Sequence, residues 1–189
     1  MLVIYAHPNK KGNNGYILKT LQRLLDKKKI EYKILDLYEM NFGPVLKPKE
    51  HYTSGENKIG EDVKKIQELM KTEDKFIFIY PTWWNGTPAI LKGFFDRVLT
   101  PGYAYRYVNH IPLGLLKGRA VVITTTGGPK IYEKTFAGDK SLRVVIRDTL
   151  LFSGIKAKGF MIDRATTLSN RNKRLIEKTI PKALKYLGL

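Results

Sequence analysis

The chain has 189 residues, 43% of them hydrophobic, which suits one compact α/β domain spanning 1–189 and is short for two. It contains no cysteine, so disulfide frameworks, thiolate catalysis and cysteine-bound metals are excluded, and His7, His51 and His110 lie too far apart for a short metal-ligand motif. The formal charge of +17 comes from cations spread along the chain, clustered only at Lys27–Lys29 and over 171–185, which reads as solvated basic helix faces rather than a nucleic-acid surface.

The run Leu2–Ala6 begins directly after Met1 and lacks the basic region and length of a signal peptide, and no stretch reaches bilayer-spanning length. A cytoplasmic protein without a transmembrane segment is therefore expected. Five apolar runs rich in β-formers are strand candidates: Leu2–Ala6, Tyr32–Leu35, Phe76–Tyr80, Ala120–Thr125 and Gly159–Ile162. Helical periodicity separates them, over Tyr16–Lys28, Glu61–Lys71, Ala89–Leu99, Leu142–Ser153 and Asn170–Leu187, the last interrupted by Pro181, where a kink or restart is expected. Residues 38–59 form the longest stretch without a pattern. Alternating βα units with continuous apolar strands predict a parallel sheet covered by helices on both faces. In such sheets ligands bind at the carboxyl ends of the strands, which directs attention to the loops after Ala6, Tyr80 and Thr125.

The first loop, His7 to Gly15, leads from a buried strand into a helix; its Gly12, Asn13, Asn14 and two lysines, Lys10 and Lys11, suit a phosphate, and serve equally as ordinary capping residues. It is neither a Walker loop nor GxGxxG. The second runs Pro81-Thr82-Trp83-Trp84-Asn85-Gly86, with Thr87 expected to cap a helix that opens at Pro88. Two adjacent tryptophans cannot both enter one core from a loop, so at least one should lie near the surface, available to a flat apolar ring. The third carries Thr125-Thr126-Gly127-Gly128 and then Tyr132; paired glycines allow close backbone approach to a planar ligand, and also make a plain tight turn. Tyr103, Tyr105 and Tyr107 alternate, which predicts three rings on one side of an extended segment.

Together these residues resemble the flavodoxin-like NAD(P)H dehydrogenase (quinone) family, the DT-diaphorase-type quinone reductases. The most specific block is 81–98, with Trp84, Gly86, Pro88 to Gly93, Phe95, Arg97 and Val98; Ala6-His7, Asn14, Asp36 to Phe42 with Pro44, Tyr103-Ala104-Tyr105 with Tyr107, and Thr125 to Gly128 with Tyr132 support it in order. The resemblance implies a five-stranded parallel sheet of order 2-1-3-4-5 and a flavin, FAD favoured over FMN. By the same resemblance, His7, Gly12, Asn13 and Asn14 hold the flavin phosphate, and Pro81, Thr82, Trp83, Trp84, Asn85 and Gly86 line the isoalloxazine. Thr125, Thr126, Gly127 and Gly128 face its pyrimidine edge, with Tyr132 nearby. It also implies a homodimer with shared sites, Tyr105 and Tyr107 joining Trp84 in covering the substrate, and ping-pong transfer of a hydride from NAD(P)H through flavin to a quinone. Three departures stand out. Gly12 and Asn13 replace a serine and a phenylalanine, and Trp83 and Asn85 stand where an amide and an aromatic occur. Ala137 occupies the place of a histidine, so Tyr132 is expected to bind rather than to relay charge. The rival implied by the same motifs is a redox-sensing ancillary subunit of a potassium-efflux system; an electron-carrying flavodoxin fits poorly with so basic a chain.

Overall fold

Valine, isoleucine and phenylalanine fill the central runs, and the extended backbone they favour is paired into one sheet. A computed structural model describes residues 1–56 and 58–189. Strands β1 (Leu2–Tyr5), β2 (Lys33–Asp36), β3 (Lys75–Pro81), β6 (Arg119–Thr125) and β7 (Lys156–Ile162) are all parallel, in the spatial order β2-β1-β3-β6-β7. Counting only these five, that is the expected 2-1-3-4-5 arrangement of a flavodoxin-like fold.

Alternation along each strand feeds two cores. Val3 and Tyr5 face α1 (Asn13–Lys27) and α6 (Asn170–Tyr186), packing with Ile17, Leu21, Ile176 and Ile180. Leu2 and Ile4 face the layer of α2 (Glu61–Lys71), α3 (Ala89–Val98) and α5 (Lys140–Arg143), with Val63, Ile66, Phe94 and Leu142. Among the described residues, no helix is long and apolar enough to cross a membrane.

Several local expectations are corrected. Helix α6 runs without a break through Pro181, which lies on the exposed face while Ile180 and Leu184 hold the buried face against the sheet. The carbonyl that loses its donor is that of exposed Glu177, where water can replace the bond. Pro88, not Thr87, stands at the cap position of α3, and no side chain caps that helix. The region expected as one helix over 142–153 is α5 followed by a π-helical stretch, Val144–Leu151. Tyr103 leaves the other two tyrosines: its hydroxyl donates to the Gln67 carbonyl at 3.1 Å, in the turn before strand β4 (Tyr105–Val108). Strand β4 pairs antiparallel with β5 (Ile111–Gly114), a separate two-stranded sheet not expected from the sequence, and Tyr105 and Tyr107 meet edge to face at 5.9 Å on it.

The long loop is pinned rather than loose. Two short 3-10 turns, Pro48–Glu50 and Tyr52–Ser54, interrupt it, and the buried Arg97 guanidinium on α3 binds Glu50, Asp62 and the Gly43 carbonyl, at 2.6–3.1 Å. Gly93 makes this approach possible, since a Cβ there would lie 2.1 Å from the Pro44 carbonyl oxygen.

Candidate functional site

The three loops singled out by sequence meet at the carboxyl edge of the sheet. Asn14 Nδ2 donates to Thr125 Oγ1 at 2.9 Å, joining the first loop to the third. The Thr82 amide donates to the Thr125 carbonyl at 2.7 Å, joining the second to the third. The rings of His7 and Trp83 stand 6.1 Å apart, closing the triangle.

Within the first loop the chain folds back over the start of α1: Gly15 is required because a Cβ there would collide with the Lys10 carbonyl. His7 Nδ1 accepts from the Asn9 amide at 2.9 Å, and Asn9 Oδ1 accepts from the Lys11 amide at 2.7 Å, which shapes the turn. Helix α1 begins after Gly12 with no side-chain cap and no acid in its first turn, so the positive end of its dipole is left uncompensated. Lys10 is not free to help, because Asp36 and Glu39 bind its ammonium at 2.9 and 2.7 Å.

The second loop is a two-residue turn closed by reciprocal bonds between Trp83 and Gly86, with Trp84 and Asn85 both at positive φ, +50° and +56°. That conformation normally goes to Asn-Gly, and a bulky aromatic there is strained. The turn presents Trp84 fully to solvent beside the partly exposed Trp83. Asn85 Nδ2 donates to the Ala137 carbonyl at 2.8 Å, anchoring the turn to the segment after α4 (Lys130–Thr135).

In the third loop both threonine hydroxyls serve the protein itself: Thr125 accepts from Asn14, and Thr126 donates to Glu133, a buried carboxylate beneath Gly128. Thr124, Thr82 and Ser141 form a hydroxyl chain behind it, at 3.0 and 2.9 Å. What the loop leaves to a ligand is backbone, because the Gly127 and Gly128 amides have no acceptor among the described residues. Tyr132 leans over Gly128, half exposed, and stacks on Phe136 at 5.7 Å. Nearby Asp139 is held at positive φ, and burial pushes its carboxyl pKa up, against the opposing pull of Lys134.

The structure thus brings together His7, Gly12, Asn13, Asn14, Pro81 to Gly86, Thr125 to Gly128 and Tyr132. It leaves Tyr105 and Tyr107 on the hairpin, where Tyr105 packs on Phe152. Glu133 was not singled out from sequence; a lone acid in a basic helix carries no signal until its burial is seen. Among the described residues no three His, Asp or Glu cluster in a way that could hold a metal.

The orphaned polar atoms test whether a polar, planar cofactor fits. Asn13 Oδ1, Asn14 Oδ1, Asn85 Oδ1 and Asp139 Oδ1 are buried without a protein partner; the three amide oxygens belong to the converging loops, and Asp139 stands at the start of α5. Buried acceptors of this kind are rare unless something satisfies them. Together with free helix-terminal and glycine amides, they suit a ligand that carries both a phosphate and ring N–H groups.

Residues 1–187 match the family described as having a flavodoxin-like fold. An uncharacterized NAD(P)H oxidoreductase of Haemophilus influenzae is 37% identical over 143 residues, covering 75% of this chain and 71% of that protein. Human ribosyldihydronicotinamide dehydrogenase (quinone) is 29% identical over 196 residues, covering 92% and 85%. The solved structure of NAD(P)H:quinone oxidoreductase from Methanothermobacter marburgensis matches with a TM-score of 0.86 and 28% identity, covering 100% of this chain and 96% of that one. The chain belongs to the flavodoxin-like NAD(P)H dehydrogenase (quinone) family of oxidoreductases.

Proposed function

We propose that this chain is a cytoplasmic, flavin-dependent NAD(P)H:quinone oxidoreductase, one domain over 1–189 working as a homodimer. The observation that carries the proposal is the meeting of three cross-tied loops whose remaining donors and acceptors are unpartnered. In this reading the backbone amides at the start of α1, those of Asn13 and Asn14 among them, hold the flavin phosphate, the two side-chain amides being engaged with Ala165 and Thr125. Pro81 to Gly86 line the ring, Trp84 covers it from water, and the Gly127 and Gly128 amides face the edge where negative charge gathers. A flavin held there would supply the two-electron chemistry that links hydride donation by the nicotinamide to reduction of a quinone in a ping-pong cycle. The protein's part is alignment of donor and acceptor in one slot. Tyr132 binds, since Ala137 offers it no partner for a relay.

FAD is favoured over FMN because the Asp36 to Pro44 stretch resembles FAD-using members of the family, and Glu39 in it is tied to Lys10 of the first loop. The hairpin supports the dimer: Val108, Ile111 and Leu113 are exposed together on the face opposite Tyr105, which packs on Phe152, and Tyr107 is exposed at the hairpin's other face. Tyr105 and Tyr107 then reach the partner's site. The comparisons favour an enzyme over the ancillary-subunit reading.

The test is the visible spectrum of protein loaded with FAD or FMN and freed of excess, taken anaerobically before and after NADH or NADPH. A retained spectrum that bleaches supports the proposal; protein that holds neither flavin overturns it. Sedimentation should give a dimer, and a stable, active monomer would sink the shared-site arrangement.

A further inference from the structure

Beside the candidate site, α4, α5 and the π-helical stretch enclose a cleft of about 240 Å³ whose walls carry Lys130, Lys134, Arg143 and Arg147. Among the described residues none of these four cations has a carboxylate within ion-pair distance. Asp139 is the one acid lining the cleft, and its burial disfavours the charged form. The floor is apolar, formed by Leu142, Ile146 and Met161.

The fold builds this arrangement. Lys130 and Lys134 are one turn apart on α4, so they share a face. Arg143 and Arg147 are likewise one turn apart across the junction of α5 with the π-helical stretch, and that stretch lies close on β7 because Gly159 has no Cβ, which would stand 2.8 Å from Ile146. Four like charges around a small cleft repel one another unless an anion sits among them. The cleft is tied to the candidate site through its own wall: the Asp139 amide donates to the Glu133 carbonyl at 2.7 Å, and Ala137, two residues earlier, accepts from Asn85 of the second loop at 2.8 Å.

A volume of about 240 Å³ is below the roughly 300–1,000 Å³ that encloses a whole drug-sized ligand. It suits one part of an extended molecule whose remainder crosses to the neighbouring site. We infer that the cleft takes the phosphate-bearing adenosine end of the dinucleotide donor, the apolar floor meeting the adenine ring and the cations its phosphates, with a preference for the 2′-phosphate of NADPH over NADH. This rests on the oxidoreductase reading above. Arginine's planar fork pairs with phosphate through two bonds at once, which favours the additional dianion.

The experiment is calorimetric titration of the full chain with adenosine 2′,5′-bisphosphate, without added flavin, comparing wild type with the double variant Arg143→Gln/Arg147→Gln. Both arginines are exposed, so the variant should melt with wild type and hold flavin equally well. The expected result is binding that weakens about tenfold or more in the variant, competition with NADPH, and a larger rise in KM for NADPH than for NADH. Equal binding by wild type and variant, bisphosphate that NADPH fails to displace, or inorganic phosphate binding as tightly as the bisphosphate would each overturn the assignment. Because calorimetry needs no flavin, loss of bisphosphate binding in the variant of a protein that holds no flavin would keep the nucleotide cleft and remove the oxidoreductase reading instead.

Discussion

Two regions of this molecule are held by buried polar groups reaching across the chain, and they differ in whether those groups are fully used. Around Arg97 the account closes: its Nε and both terminal nitrogens donate to Glu50, Asp62 and Gly43, and the ring of Phe42 lies 5.1 Å from the guanidinium. Around Asn14 and Thr125 it stays open, with asparagine oxygens and glycine amides unpartnered. A saturated network stabilises a loop; an unsaturated one at the carboxyl edge of a sheet is prepared for a ligand.

The contrast is broken most forcefully at Arg97. Arg97→Ala strands the buried Glu50 carboxylate and should cost about 3–5 kcal/mol in urea unfolding; a loss under 1 kcal/mol would show that the network is not structural. Acid acts on the same cluster. Hydrogen bonds from Arg97, opposed by burial, hold the Glu50 and Asp62 pKa values below the ordinary carboxylate range. Their contribution is therefore complete above an unfolded-state value of about 4 and lost as pH falls through the depressed folded values. Wild-type stability should drop in that acid window, and Arg97→Met, whose carboxylates lack the partner, should show a shallower dependence.

The open region should respond in the opposite manner. Trp84→Gly relieves the positive-φ strain, so the fold should be unchanged or up to about 1 kcal/mol more stable, while flavin binding, followed by fluorescence, weakens. Loss of stability without loss of flavin would reverse the assignment of this turn. The smallest effect is expected for Tyr132→Phe: stopped-flow reduction of the flavin by NADPH should slow less than about tenfold, against the roughly 10²–10⁴ expected of a general acid.

Sequence alone made the central architecture legible because its signals are local. Strand runs of contiguous Val, Ile and Phe and the helical spacing of Val63, Ile66 and Met70 survive in any parallel α/β packing. The short pieces were hidden: α4 spans only Lys130–Thr135, and the β4–β5 hairpin turns through Asn109 and His110, both at positive φ without the glycine that usually marks such a turn. A π-helical winding has no distinct hydrophobic period, so 144–151 read as ordinary helix.

The residues of the candidate site were legible for the same reason, since Gly, Asn, Trp and Thr at strand ends state their unusual backbone needs in the sequence. How those residues are used was decided by tertiary structure. Lys10 carries a charge that suits phosphate, and only folding shows it bound to Asp36 and Glu39. Thr125 and Thr126 carry hydroxyls, and only folding commits them to Asn14 and Glu133. Residue type fixes what a side chain can donate or accept; which partner takes it depends on residues that lie far away along the chain and meet only when the sheet closes, as Asn14 meets Thr125.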